Sequence, residues 1–190
     1  MSEANLLAVE PLSRAAFAEF GDVLDTDSAD KVFSINQGNT TRFHALAKVQ
    51  CEGDGAHALI SIFRAQPRSL PLPISMLERH PLGSQAFFPL SQLCYLVVVA
   101  RDPQSKPRAF LAQPGQGVNY HRSTWHHPIL ALTKVSDFLV IDRGGAGNNC
   151  DECQLPQTWQ IAPFGLKPRR TPSLPGTTRP GLAQKAQGPR

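Results

Sequence analysis

Residues 76–85 read MLERHPLGSQ and residues 115–128 read GQGVNYHRSTWHHP, and the reading of these two tracts decides the fold. On an extended strand successive side chains alternate between faces, so Glu78 and His80 point the same way and can converge on one small object. The second tract adds His121, Trp125, His126 and His127, which brings four of the chain's six histidines into the two tracts. Imidazole titrates near physiological pH, so the clustering marks an acid/base or ligand site rather than surface decoration.

Around the two tracts the apolar pattern is that of short strands. Residues 94–100, CYLVVVA, form a continuous apolar run, as a strand does when both its faces are covered. Residues 57–65, HALISIFRA, alternate in two rows, Ile60–Ile62–Arg64 and Leu59–Ser61–Phe63. With the isoleucines on the core face, Arg64 follows them inward. Residues 32–36 and 42–49 predict two strands about the turn NQGN at 36–39, and residues 108–113, 129–133 and 136–142 predict three more. Prolines make residues 67–73 an extended connection. One short helix follows Ser13 as its N-cap, with Phe17 and Phe20 on one face and Gly21 in the left-handed position that ends it. The run GGAGNN at 144–149 closes the series. Many short strands between Pro, Gly and Asn turns predict a mainly-β fold, a barrel or jelly roll with a few short helices. Such folds keep small ligands in the barrel mouth or between the sheets.

At 190 residues the chain is long enough for one domain with a closed core. No apolar run approaches the roughly 20 residues that span a bilayer, and the N-terminus lacks a secretory pattern, so a cytoplasmic protein without a membrane partner is expected. The net charge of +4 misleads: six of the 19 basic residues lie beyond residue 165, where no acidic residue occurs. Residues 1–165 are therefore slightly acidic, and a catalytic domain over 1–165 with a Pro/Gly/Arg-rich flexible tail over 166–190 is expected. The tail has no aromatic to stack on bases, which argues against a nucleic-acid partner. Cys150 and Cys153 form a CxxC, but two acidic residues between the thiols raise their pKa and no second pair supplies a zinc site.

The spacing Glu78-x-His80-x4-Gln85 resembles the first metal motif of the cupin superfamily, with Glu and Gln replacing two usual ligands. The second tract resembles the second cupin motif, with Gly115 and His126 in register and His121 and Ser123 replacing its Pro and Gly. Residue by residue, this likeness implies Glu78, His80, Gln85 and His126 as metal ligands. The chain is similar, more specifically, to the ureidoglycolate lyases of allantoin breakdown. That likeness rests on residues 34–38 (SINQG), Arg42 with His44, 61–67 (SIFRAQP), 77–87 (LERHPLGSQAF), 117–122 (GVNYHR), 125–128 (WHHP) and 137–145 (DFLVIDRGG). It implies a cytoplasmic homodimer that cleaves (S)-ureidoglycolate to glyoxylate and urea. A divalent metal, nickel before zinc, manganese or iron, and no organic cofactor are implied with it.

Ureidoglycolate carries a hydroxyl, a carboxylate and the ureido nitrogen on one carbon. Its cleavage needs a base for the hydroxyl proton, an acid for the departing nitrogen and a clamp for the carboxylate. Glu78 or a neighbouring histidine, His80 among them, suits the base, and His121 or His126 suits proton delivery. If a metal is bound, Glu78 is a ligand rather than the base. Arg64 suits the clamp, since guanidinium meets carboxylate bidentately. Gln85, Arg42, Asn36 and Trp125 are further substrate-binding candidates. Two other readings fit a cupin barrel: a different metal-dependent enzyme, such as an isomerase or dioxygenase, and a non-catalytic sugar or acid sensor.

Overall fold

The structure is a computed structural model that describes residues 5–165, so the expected tail over 166–190 lies outside the described residues. In chain order the elements are β1 (Leu6–Leu7), β2 (Val9–Pro11), helix α1 (Arg14–Phe17), β3 (Gly21–Leu24), β4 (Lys31–Ile35), β5 (Thr40–His44), β6 (His57–Ala65), β7 (Leu72–Arg79) and β8 (Gln85–Pro89). There follow β9 (Tyr95–Ala100), β10 (Arg108–Ala112), β11 (Gly117–Tyr120), β12 (Trp125–His126), β13 (Leu130–Ala131), β14 (Ser136–Gly144) and β15 (Asp151–Ile161). Eight strands form one sheet in the order β1-β15-β7-β12-β9-β10-β2, with β13 also on β9; five form a second, β3-β11-β8-β14-β6; β4 and β5 pair with each other. This is the mainly-β barrel or jelly roll that the strand spacing predicts. No helix among the described residues is long and apolar enough to cross a membrane.

The core explains the run CYLVVVA. All six residues of β9 are buried. Tyr95, Val97 and Val99 join Phe87, Phe110, Val118, Tyr120 and Phe138 between the sheets. The alternate residues Leu96, Val98 and Ala100 join Leu72, Ile74, Leu77, Trp159 and Ile161 in a second cluster. Both faces of the strand are covered, at roughly 1.5–3 kcal/mol for each large side chain taken out of water.

Helix α1 starts as expected, with Ser13 Oγ accepting from the Ala16 amide at 3.3 Å. It then departs from expectation. Gly21 is not the left-handed helix cap but the first residue of β3, opposite Tyr120. Glycine is required there by proximity, since a Cβ at Gly21 would lie 2.0 Å from the Asn119 carbonyl oxygen. Gly21→Ala should therefore cost about 2–3 kcal/mol by forcing β3 off β11, read as a lowered denaturation midpoint with an unchanged m-value.

Two strand readings also change. The row of β6 that turns toward the core is Leu59–Ser61–Phe63, not the isoleucine row, although Leu59 and Phe63 remain 42% and 39% exposed. Phe63 stands opposite Phe138 in the pairing with β14, and its ring lies 5.8 Å from that of the buried Phe87. Ile60, Ile62 and Arg64 take the outer face with Leu139, Ile141 and Asp137. The strand β15 follows the GGAGNN run that was expected to close the series. Its pairing with β7 slips between Gln154 and Trp159, an irregularity that spans Pro156 and breaks the alternation by which a strand is recognised. The turn between β4 and β5 is as read, with Asn36, Gln37 and Gly38 all at positive φ. The second strand stops at His44, short of residue 49, because Ala45 turns left-handed at φ 55°.

Candidate active site

Glu78 near the end of β7 and His126 on β12 are direct partners across adjacent antiparallel strands, which sets their side chains on the same face. His80, two residues on from Glu78, has its ring 5.2 Å from that of His126. One donor atom from each of Glu78, His80 and His126 lies within 4.8 Å of the others. The ERH and WHH tracts thus meet at one point between the sheets.

Each imidazole is held by a backbone carbonyl. His126 Nδ1 donates to the Thr124 carbonyl at 2.8 Å, and His80 Nδ1 to the Asn149 carbonyl at 2.7 Å. Carbonyl oxygens only accept, so Nδ1 carries a proton in both rings and Nε2 faces the pocket. The His126 ring is 1% exposed and stacked on Tyr120, at 4.1 Å between centroids and 15° between planes. Its Nε2 is 3.5 Å from Glu78 Oε1 and has no hydrogen-bond partner among the described residues. The separation is too long and poorly directed for a hydrogen bond in the resting geometry, and leaves a buried ring nitrogen aimed at the carboxylate. His80 Nε2 lies 3.1 Å from the terminal amide of the buried Gln85.

Charge follows from burial and from these neighbours. Burial alone would push Glu78 up, but its contact with His126 and the charges of His126, His80 and His127 outweigh it and hold the carboxyl below the usual range. Burial pushes His127 down, towards the neutral imidazole. Burial, with a smaller effect of Glu78, holds the Tyr120 phenol protonated. Tyr120 therefore serves as an uncharged wall.

The remaining candidates are placed as follows. Gln85 belongs to the pocket. His121 stands apart, 3.2 Å from Asp22, in a cavity of about 450 Å³ that also has Arg14, Asp30, Lys48 and Gln50 in its wall and that Glu78, His80 and His126 do not line. Trp125 is next to His126 and so turns to the opposite face, beneath the Arg79 guanidinium at 4.7 Å. Arg64, expected inside, is on the exposed outer face and pairs bidentately with Asp137 at 2.7 and 2.8 Å. Asn36 and Arg42 are on the exposed β4–β5 hairpin. Asn36 makes a 3.3 Å bond to Thr40 at the turn.

Other contacts at the pocket carry no mark in the two tracts. Asn149 holds His80 through its carbonyl and accepts the Leu82 amide on Oδ1. Asp142 has its carboxyl raised by burial and is linked to His80 and Gln85. Its neighbour Arg143 is buried and donates to the carbonyls of Glu52, Gly145 and Ala146, which braces the loops at the pocket rim. Cys150 lies with Glu152 beside Glu78, its thiol pushed up by burial and by those acidic neighbours. The nearest sequence signal for Tyr120 was the tract GVNYHR itself; for Asn149 the glycine-rich run gave none.

Residues 4–162 match the family described as ureidoglycolate lyase. Curated ureidoglycolate lyases resemble the chain over most of its length: 54% identity to that of Burkholderia mallei (80% of this chain, 91% of the relative) and 51% to ureidoglycolate lyase 1 of Rhizobium meliloti (83% and 94%). The relative from Pseudomonas syringae pv. syringae is 57% identical over 77% of this chain and 88% of its own. Among solved structures, a mutant of the Bacillus subtilis oxalate decarboxylase OxdC matches at a TM-score of 0.33 and 13% identity, over 60% of this chain and 32% of that one.

Proposed function

Because the chain belongs to the ureidoglycolate lyase family, we propose that Glu78, His80 and His126 are the groups with which it cleaves (S)-ureidoglycolate to glyoxylate and urea. The enzyme is a carbon–nitrogen lyase acting on a small molecule. The observation that carries the assignment of the site is the buried His126 Nε2, unpartnered and 3.5 Å from an ionised Glu78. A free ring nitrogen and a carboxylate so placed are poised for the substrate hydroxyl. The Glu78 carboxylate takes the hydroxyl proton, the O–H electrons become the second bond of the glyoxylate carbonyl, and the C–N bond breaks with its electrons on nitrogen. His126 Nε2 passes the proton from Glu78 to that nitrogen, which completes urea.

The same donor set fits a divalent ion, since both imidazoles turn Nε2 to the pocket and one of these atoms is buried with no hydrogen bond among the described residues. Glu78, His80 and His126 would hold it, with Gln85 against His80, and nickel, manganese, zinc or iron there would lower the pKa of the substrate hydroxyl. We place the enzyme in the cytoplasm as a homodimer, a state that the exposed apolar strands described below support.

Incubation of the purified protein with ureidoglycolate should release glyoxylate and urea in equal amounts without ammonia. Ammonia in place of urea would identify an amidohydrolase and overturn the reading. Chelation separates the two uses of Glu78. Activity lost on chelation and restored by one of the four metals makes Glu78 a ligand, and activity unchanged in rigorously metal-free protein makes it the proton acceptor.

A further inference from the structure

Nine of the twelve large apolar side chains exposed among the described residues lie on two elements and a neighbour: Val32, Phe33, Ile35 and Phe43 on the β4–β5 hairpin, Leu59, Ile60, Ile62 and Phe63 on β6, and Phe88 on β8. Strand β6 ends its sheet, pairing with β14 on one side only. Ile60 is 75% exposed. A long apolar edge of this kind invites another strand. The hairpin is the converse, two strands that pair only with each other, although an isolated two-stranded hairpin is marginal in water. On the hairpin His44 Nδ1 is shut off from water without a hydrogen-bond partner among the described residues.

Among the described residues, no lysine or arginine acts on the Glu78 carboxylate, whose neighbours are His126, His80 and His127, while Arg68 bears only on His127. Three arginines near the pocket are engaged, Arg79 with Asp151, Arg122 with Glu52 and Arg143 with three backbone carbonyls, and Arg64 outside pairs with Asp137. Arg42 makes no ion pair among the described residues. In the hairpin register Phe33 opposes Arg42 and Lys31 opposes His44, so Phe33, Arg42 and His44 share one face. On the body, Leu59 of β6 stands opposite Asp142, whose carboxyl is linked to Gln85 and His80. A strand added to β6 would therefore stand two strand spacings, about 10 Å, from β14 at the pocket wall.

We propose that two copies exchange hairpins reciprocally, the β4–β5 hairpin of each lying along the β6 edge of the other and bringing Arg42 to the other copy's pocket as the clamp for the substrate carboxylate. A second copy is the occupant that the surfaces select, because one chain carries both the open edge and the strands lacking a neighbour, and a two-fold exchange covers all of them at once. The exposed apolar area involved is on the order of 700 Å², against about 800 Å² per partner in a standard interface. Asn36 and Arg42 then belong to the active site although they are remote from it within their own chain. The role of Arg42 rests on the reaction proposed above; the exchange itself does not.

Two variants, Glu78→Gln and Arg42→Ala, co-expressed with different tags and purified through both, test it. Glu78→Gln homodimers should be nearly inactive, and Arg42→Ala homodimers should lose about 100-fold in kcat/KM. The mixed dimer has one pocket with both groups intact and should recover about half of the wild-type activity per dimer. A mixed dimer no more active than the better homodimer, or an Arg42→Ala enzyme at wild-type activity, overturns the shared clamp. Independently of substrate, Ile60→Lys on β6 and Phe33→Lys on the hairpin should each convert a dimer to a folded monomer in sedimentation. A wild-type monomer, or either variant remaining dimeric, overturns the exchange. Failure of wild-type protein to form glyoxylate would count against the reaction and leave the sedimentation result standing.

Discussion

Glu78→Gln lowers turnover by about 10³-fold and leaves the protein folded, because the change keeps the shape of the side chain and removes only its charge and its ability to accept a proton. The carboxylate faces His126 Nε2 across paired strands, held ionised against its burial by the imidazoles around it. An amide in that place cannot take the hydroxyl proton, and it is a poor ligand for a divalent ion, so the loss is expected under either use of the residue. Initial rates of glyoxylate formation at saturating substrate, with the thermal midpoint as the control for folding, give the answer. A rate within tenfold of wild type would remove Glu78 from the site.

Phe17→Ala should unfold the protein more readily than any surface change. Its ring is fully buried at the end of the sandwich, with Phe20 at 6.0 Å, Phe110 at 5.7 Å edge-on and Tyr120 at 6.2 Å. Emptying that space costs about 3–5 kcal/mol, and at roughly 2–4 °C per kcal/mol for a chain of this size the midpoint should fall by about 10 °C. The effect should reach the site as well, because Tyr120 carries Phe17 on one side and the His126 imidazole stacked against it. A drop in kcat measured well below the new midpoint would show that transmission, and an unchanged midpoint would deny the packing.

How far the sequence foretold this depends on the range of the information. That Glu78, His80 and His126 meet was legible because the i, i+2 spacing on a strand and the register of the histidine tract are local. The double-sided burial of β9 was legible because it needs no knowledge of neighbours beyond their existence. Arg64 was misplaced because an alternating strand has two apolar rows here, and nothing local says which one meets Phe87. Gly21 looked like a helix cap because the helix is adjacent in sequence, whereas the carbonyl that excludes a side chain belongs to Asn119, nearly a hundred residues on. Strand β15 went unseen because Pro156 and the slip in its pairing interrupt the period of two. Asn149 holds His80 only through its backbone, which no side-chain pattern can announce.

The placement of Asn149 and β15 also sets the order in which the protein can become an enzyme. Glu78 and His80 leave the ribosome early, yet β7 has no second neighbour, and the His80 ring no anchor, until residues 149–161 have followed. A nascent chain arrested before that point would hold Glu78, His80 and His126 and still lack the carbonyl that fixes the His80 ring. The pocket's geometry is therefore completed late in synthesis, when β15, the final strand among the described residues, closes on β7.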